Sequence, residues 1–231
     1  MTRVLVLHSG GLDSSVALMA AVEEYGAANV VSLGIDYGQR HLKELEYAKQ
    51  LCQVLGVERD TVKLPKIEGV MLTDASIEIP KISYDEIEGI SPTYVPFRNG
   101  LMLSVIASKA QNEGFDIIVY GAHAEDAKNW AYPDCTPEFN GAMANAIFIG
   151  TYQKVRLHTP FQWAEKHEIA LKGGLLEDDY RRRNKVGTSL LALTWSCYKG
   201  DEHHCGTCPT CRARKEAFIK AGVTDPTIYA E

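Results

Sequence analysis

The segment RVLVLHSGGLDSSVAL, residues 3–18, constrains the fold more than any other part of the chain. An apolar run of strand length, Val4 to Leu7, stops at Ser9-Gly10-Gly11 and gives way to Leu12-Asp13-Ser14-Ser15-Val16-Ala17-Leu18, which reads as helix. Strand, glycine turn and helix in that order open a βα unit, and such units imply a parallel sheet with helices packed on it. The rest of the chain agrees. Strands are expected near 3–8, 29–35, 59–64, 116–121 and 154–158, alternating with helices near 12–25, 39–55, 99–113, 137–149 and 163–173. In the second of these helices Leu42, Leu45, Leu51, Cys52 and Leu55 fall roughly on one face. The expected fold is α/β, a doubly wound parallel sheet, with ligands at the C-terminal ends of the strands.

The glycine turn lies at such an end. Its glycines let the backbone come close to an oxyanion and take positive φ, and Ser9, Ser14 and Ser15 add hydroxyl donors. A helix opening near Leu12 adds its dipole. Neither GxxxxGK[ST] nor GxGxxG occurs, so this is not a Walker or dinucleotide loop. Asp13 would repel a phosphate unless a cation lay between them, which assigns it to Mg²⁺ handling. An isolated Gly-Gly-Asp more often caps a helix; the whole hexapeptide after a buried strand reverses that preference.

Four of the six cysteines crowd the C-terminal end, as Cys197-x₇-Cys205-x₂-Cys208-x₂-Cys211. Four thiolates at short spacing fit a closed tetrahedral Zn²⁺ site, which is structural because it keeps no open position. An iron–sulfur cluster is the rival, and His203 and His204 are substitute ligands. The helix after Cys211, with Arg212, Arg214 and Lys215, is expected to face solvent. A formal net charge of -6 argues against a nucleic-acid partner. No stretch approaches the roughly 20 apolar residues of a membrane helix, and Val4-Leu5-Val6-Leu7 follows the start with no signal-peptide pattern. A cytoplasmic location is expected. Residues 65–98 hold four prolines and no clear period, and 65–97 is expected to act as a lid.

SGGLDS resembles the PP-loop of the ATP pyrophosphatase superfamily, whose members share a doubly wound, adenine nucleotide alpha-hydrolase-like sheet. That resemblance implies cleavage of ATP between its α and β phosphates, with His8, Ser9, Gly10, Gly11, Leu12, Asp13, Ser14 and Ser15 around the leaving diphosphate. Adenosine would lie by Asp36 and Tyr37, with Gln39 and Arg40 just beyond. Further segments narrow the resemblance to the 7-cyano-7-deazaguanine synthase family of queuosine-precursor synthesis. They are DYGQRHLKELEYAK (36–49), VPFRNG (95–100), GAHAEDA (121–127), YPDCTPEF (132–139), LTWSCYKG (193–200) and CGTCPTCRARKEAF (205–218).

The family resemblance implies an ATP- and Mg²⁺-dependent ligase joining 7-carboxy-7-deazaguanine and ammonia, with a structural zinc and a homodimer. It assigns catalysis to Asp13, Arg98, His123 and Asp126, and substrate binding to Arg98, Asn99, Tyr132, Asp134 and Glu138. Residues 1–173 would be the ATP-binding domain, and 174–231 a Cys₄ extension packed on it. Two features depart from the family. Phe97 is bulky where a small residue is common, and the segment carrying Arg181-Arg182-Arg183 is longer than usual before the zinc cysteines. Other outcomes of the same activation are an amide product or transfer of the acyl group to another amine. Thiolation of tRNA needs a reactive cysteine and a basic RNA surface, which the charge and the committed cysteines oppose.

Overall fold

A computed structural model describes residues 1–39, 42–65, 72–73, 77 and 89–230. Strands β1 (Val4–Leu7), β2 (Val30–Asp36), β3 (Glu58–Lys63), β4 (Ile117–Val119) and β5 (Arg156–His158) form one sheet in the order β3-β2-β1-β4-β5. Every pairing is parallel. The chain winds outward from β1 to β3, then returns across β1 to build β4 and β5. The winding reverses between β1 and β4, which makes that crevice the topological switch point.

The helices are α1 (Leu12–Tyr25), α2 (Lys43–Leu55), α3 (Arg98–Glu113), α4 (Ala124–Ala127), α5 (Pro137–Gly150), α6 (Lys166–Asn184) and α7 (Pro209–Ala221). β1 is buried along its whole length, so its alternating side chains feed two cores. Val4 and Val6 pack with α1, α2, α6 and α7. Leu5 and Leu7 pack on the opposite face with α3 and with Ile147 of α5. Right-handed crossovers require this division, because the two halves of the sheet wind in opposite directions. No helix among the described residues is long and apolar enough to cross a membrane.

The structure moves three expected features. Leu42 precedes α2 and is exposed, so it drops out of the apolar face. α6 continues to Asn184, although Gly173-Gly174 costs about 1 kcal/mol per glycine in helix propensity. A capping box between Glu165 and Glu168 starts that helix, and its packing against α1 and α7 outweighs the propensity cost. The arginine run then lies in its last turn, where Arg182 and Arg183 each pair with Asp179 at 2.6 Å.

Arg214 is the third correction, because it is fully buried and does not face solvent. Its Nε pairs with Asp225 Oδ1 at 3.2 Å, and its other nitrogens donate to Thr194 Oγ1 (2.7 Å) and the Leu191 carbonyl (3.2 Å). A basic helix read from sequence as a solvated surface thus ties three C-terminal segments together.

Candidate active site

β1 ends at Leu7, but the His8 N–H still pairs with the Leu33 carbonyl of β2 at 2.9 Å. The chain leaves the sheet there. Gly10 takes φ +101°, and a Cβ on it would come within 2.0 Å of the Glu44 carbonyl oxygen of α2. No other residue fits that turn. Gly11 caps α1 without a side chain, and the first intrahelical bond runs from Ser15 N–H to its carbonyl at 3.1 Å. The amides of Leu12, Asp13 and Ser14 therefore precede the helical ladder. Ser9 Oγ and Ser14 Oγ lie 3.0 Å apart, and the Gly11 N–H donates to Ser9 Oγ at 3.1 Å. His8 and Ser15 lie buried beneath, with the imidazole between Ser32 Oγ (2.9 Å) and Ser15 Oγ (3.0 Å). Burial, then the Arg59 charge, pushes the His8 pKa well below its ordinary value.

Asp13 stands in the first turn of α1. Its Oδ2 accepts from Lys166 Nζ at 2.9 Å and lies 3.6 Å from His123 Nε2, which is in turn 3.3 Å from Asp126 Oδ2. Burial disfavours the Asp13 charge, but Lys166 and His123 outweigh it and hold the carboxyl well below the usual range. Burial likewise works against the His123 cation, while Asp126 and Asp13 raise its pKa overall. Asp13 Oδ1 is buried without a partner among the described residues. Lys166 enters from the start of α6, and no motif marked it in the sequence.

Asp13, Asp126 and Lys166 edge a cavity of about 280 Å³ at the switch point. Ser9, Gly11, Leu12, Asp13 and Ser14 form one side, while Tyr37, Arg98, Asn99, Asp126 and Tyr132 contribute elsewhere on its wall. Arg98 Nη1 donates to the Tyr37 hydroxyl at 3.1 Å. Other expected site residues stand outside the lining. His123 is buried behind Asp13, and the Asp36 carboxylate accepts from the Gly38 N–H at 3.0 Å. Asp134 is buried as the cap of α3, its Oδ2 accepting from the Asn99 N–H at 3.0 Å. Glu138 is exposed in the first turn of α5. Phe97 turns its ring against Gly100 and edge-on to Phe139, away from the lining, so its bulk leaves the cavity open. Leu72 and Thr93 of the expected lid touch the cavity; most of 66–88, and Arg40, lie outside the described residues.

A family model described as queuosine biosynthesis protein QueC matches residues 3–222. The chain belongs to the QueC family. A Chromohalobacter salexigens protein named 7-cyano-7-deazaguanine synthase is 39% identical over 233 residues, covering 99% of this chain and 86% of the relative. A Thermoplasma volcanium protein of the same name is 39% identical over 236 residues, covering 99% and 91%. Among solved structures, the U34-tRNA thiolase NcsA from Methanococcus maripaludis with its 4Fe–4S cluster is similar at a TM-score of 0.51 and 18% identity. That match covers 76% of this chain and 57% of the thiolase. It is a likeness of fold alone.

The four C-terminal cysteines of this QueC-family chain converge, each offering an Sγ within 4.8 Å of the others. Amides of Lys199 and Cys205 both donate to Cys197 Sγ at 3.4 Å, which suits a thiolate. His204 turns away from them: its Nε2 accepts from the Ser196 N–H at 3.0 Å and its ring lies 4.1 Å from that of Trp195. Trp195 joins this segment to the glycine turn, donating its backbone N–H to the Gly10 carbonyl at 2.8 Å.

Glu44 and Cys135 are the other notable cavity groups. Burial pushes the Cys135 thiol up, which makes it a poor nucleophile. Glu44 was not apparent from sequence. Burial lifts it from 4.5 to about 7, against the opposing pull of Arg98 and Arg59. Between those pH values the folded chain holds a proton that the unfolded chain has lost, so this group lowers stability as pH rises. In urea unfolding from pH 4.5 to 7, Glu44→Gln is expected to gain stability relative to the parent and level off above pH 7. Parallel curves would contradict a carboxyl with a raised pKa there.

Proposed function

We propose that this chain is an ATP-dependent 7-cyano-7-deazaguanine synthase, converting 7-carboxy-7-deazaguanine and ammonia to the nitrile. The observation that carries the reading is one cavity edged by both the glycine turn and the Arg98–Asn99 start of α3, in a chain whose relatives bear that name. The amides of Leu12, Asp13 and Ser14, which precede the helical ladder, together with the Ser9 and Ser14 hydroxyls suit the β,γ-diphosphate, the part that leaves. Tyr37, with Asp36 beside it, lies at the end of β2, where adenosine fits. Arg98 suits the substrate carboxylate, and Asn99 with Tyr132 suits the heterocycle. Asp134 contributes by fixing Asn99. Glu138 has no part in this arrangement.

The chemistry needs activation because a conjugated carboxylate resists attack by ammonia. A carboxylate oxygen attacks the α-phosphorus and pyrophosphate leaves. Ammonia then adds to the acyl carbon and AMP departs, giving the amide. The amide oxygen attacks a second ATP, again expelling pyrophosphate. Loss of AMP with both N–H protons leaves the nitrile. The cavity holds the partners in line and limits water at the adenylate.

Asp13 Oδ1, buried and unpaired among the described residues, fits the hard oxygen set that Mg²⁺ requires, with Asp126 as a second carboxylate. When bound, the ion supplies charge neutralisation between the phosphates. Lys166 balances the Asp13 charge, and His123 links Asp13 to Asp126. The cysteine cluster fits zinc. Zn–S bonds of about 2.3 Å give a tetrahedral edge of about 3.8 Å, close to the 4.0 Å between Cys205 and Cys211 Sγ. That closed set would staple the cysteine-bearing segment after α6 onto the sheet domain; α6 runs unbroken across 173–174, so the boundary expected there moves past Asn184. A homodimer stays part of this reading on the family resemblance.

Incubation with ATP, Mg²⁺, 7-carboxy-7-deazaguanine and ammonium is expected to yield nitrile, AMP and pyrophosphate by mass spectrometry. Amide without nitrile, or ADP with orthophosphate, would contradict the assignment. Metal analysis should find about one zinc per chain, and Cys208→Ser should release it and lower the melting temperature. Iron with labile sulfide would replace zinc in this account.

A further inference from the structure

Arg59 lies on the edge strand β3, yet its side chain crosses β2 to reach the end of β1. Gly34 opens the passage: a Cβ there would come within 2.4 Å of Arg59 Nη2 and 3.1 Å of its Cζ. Past it, Nη1 donates to the His8 carbonyl at 3.2 Å and to Ser32 Oγ at 2.7 Å. We propose that Arg59 is a positioning residue for the phosphate loop, gripping the His8 carbonyl so that the Ser9 N–H points toward the anion site.

The planarity of one peptide sets the direction of the Ser9 N–H. The His8 carbonyl and the Ser9 N–H belong to the same trans unit and point in opposite directions. Holding the carbonyl toward Arg59 therefore sends the Ser9 N–H the other way, where it meets Ser14 Oγ at 3.3 Å. Ser14 Oγ also contacts Ser9 Oγ, so a bound anion would find an amide and two hydroxyls already gathered. Nothing in β1 supplies that restraint, because the last sheet bond of the strand is made by the His8 N–H and leaves its carbonyl to the side chain.

The same guanidinium orients the imidazole beneath the loop. His8 Nδ1 faces Arg59 Nη1 at 3.3 Å and the Ser32 hydroxyl at 2.9 Å. A guanidinium only donates, and the two Nη1 protons go to the His8 carbonyl and Ser32 Oγ. The Ser32 hydroxyl is left to donate to Nδ1, which puts the ring proton on Nε2, facing Ser15 Oγ at 3.0 Å. Arg59 Nη2 is buried with no hydrogen-bond partner among the described residues. The buried cost of that nitrogen has a reason if positive charge behind the loop is useful.

The proposal rests on the reading that this loop takes the diphosphate of ATP. Calorimetric titration of the full chain with magnesium pyrophosphate tests both. The parent chain should bind it. Arg59→Gln should weaken binding by about tenfold, the scale of one charge-assisted hydrogen bond, and raise the KM for ATP by a similar factor with a smaller change in kcat. The KM for ammonium should not move. Gly34→Ala, which closes the passage while keeping the arginine, should show the same weakening. Arg59→Lys should recover part of the affinity, and it carries the comparison if Arg59→Gln does not fold. Unchanged pyrophosphate affinity in the variants, even with a lower melting temperature, would overturn the positioning role. A parent chain that binds no pyrophosphate would overturn the loop reading and this proposal together.

Discussion

The backbone of Gly10 is held from two directions, by the close approach of the Glu44 carbonyl and by a hydrogen bond from the Trp195 amide. The first contact needs a residue without a Cβ, and the second brings in a segment far along the chain. Together they lock the glycine turn between α2 and the run that leads into the cysteine cluster. Trp195 also donates its indole N–H to the Cys197 carbonyl at 2.8 Å. The C-terminal segment is therefore a support for the loop. Losing its internal staple would loosen the turn at which the diphosphate is proposed to sit.

Electrostatics at the switch point follow from the same crowding. Asp13 and Asp126 bring two carboxylates to one edge of the cavity, with His123 between them and Lys166 against Asp13. A lone buried carboxylate would take up a proton instead; the two cationic partners keep Asp13 ionised. Glu44 shows the opposite outcome. It sits in the same cavity with the fields of Arg98 and Arg59 and a hydrogen bond from Gln39, and burial prevails over them. Two acids of one pocket thus titrate far apart because their neighbours differ, a recurring arrangement in sites that move protons.

Much of this was legible in the sequence wherever chemistry is local. The apolar run before Ser9-Gly10-Gly11 gave the strand, the turn and the helix together, and the cysteine spacing gave a four-sulfur cluster that the fold assembles. Arg98 and Asn99 stood out because they close a proline-containing stretch and open a helix. What could not be read depends on packing. Lys166 is a single lysine 153 residues from Asp13, with no pattern to mark it. Glu44 looks like any acid in the first turn of an exposed helix until the loop packs over it. Arg214 sits in a basic run whose fate as a buried tie was set by Asp225 and Thr194. α6 outran its expected end because contacts with α1 and α7 outweigh two helix-weakening glycines.

The central claim is that the glycine turn cups the departing diphosphate while AMP is placed on an acid oxygen at the other side of the same cavity. An oxygen-isotope experiment addresses it most directly. With 7-carboxy-7-deazaguanine labelled with ¹⁸O in its carboxylate, the account predicts that AMP carries the label and pyrophosphate does not. Label retained in released water or phosphate, with unlabelled AMP, would contradict it.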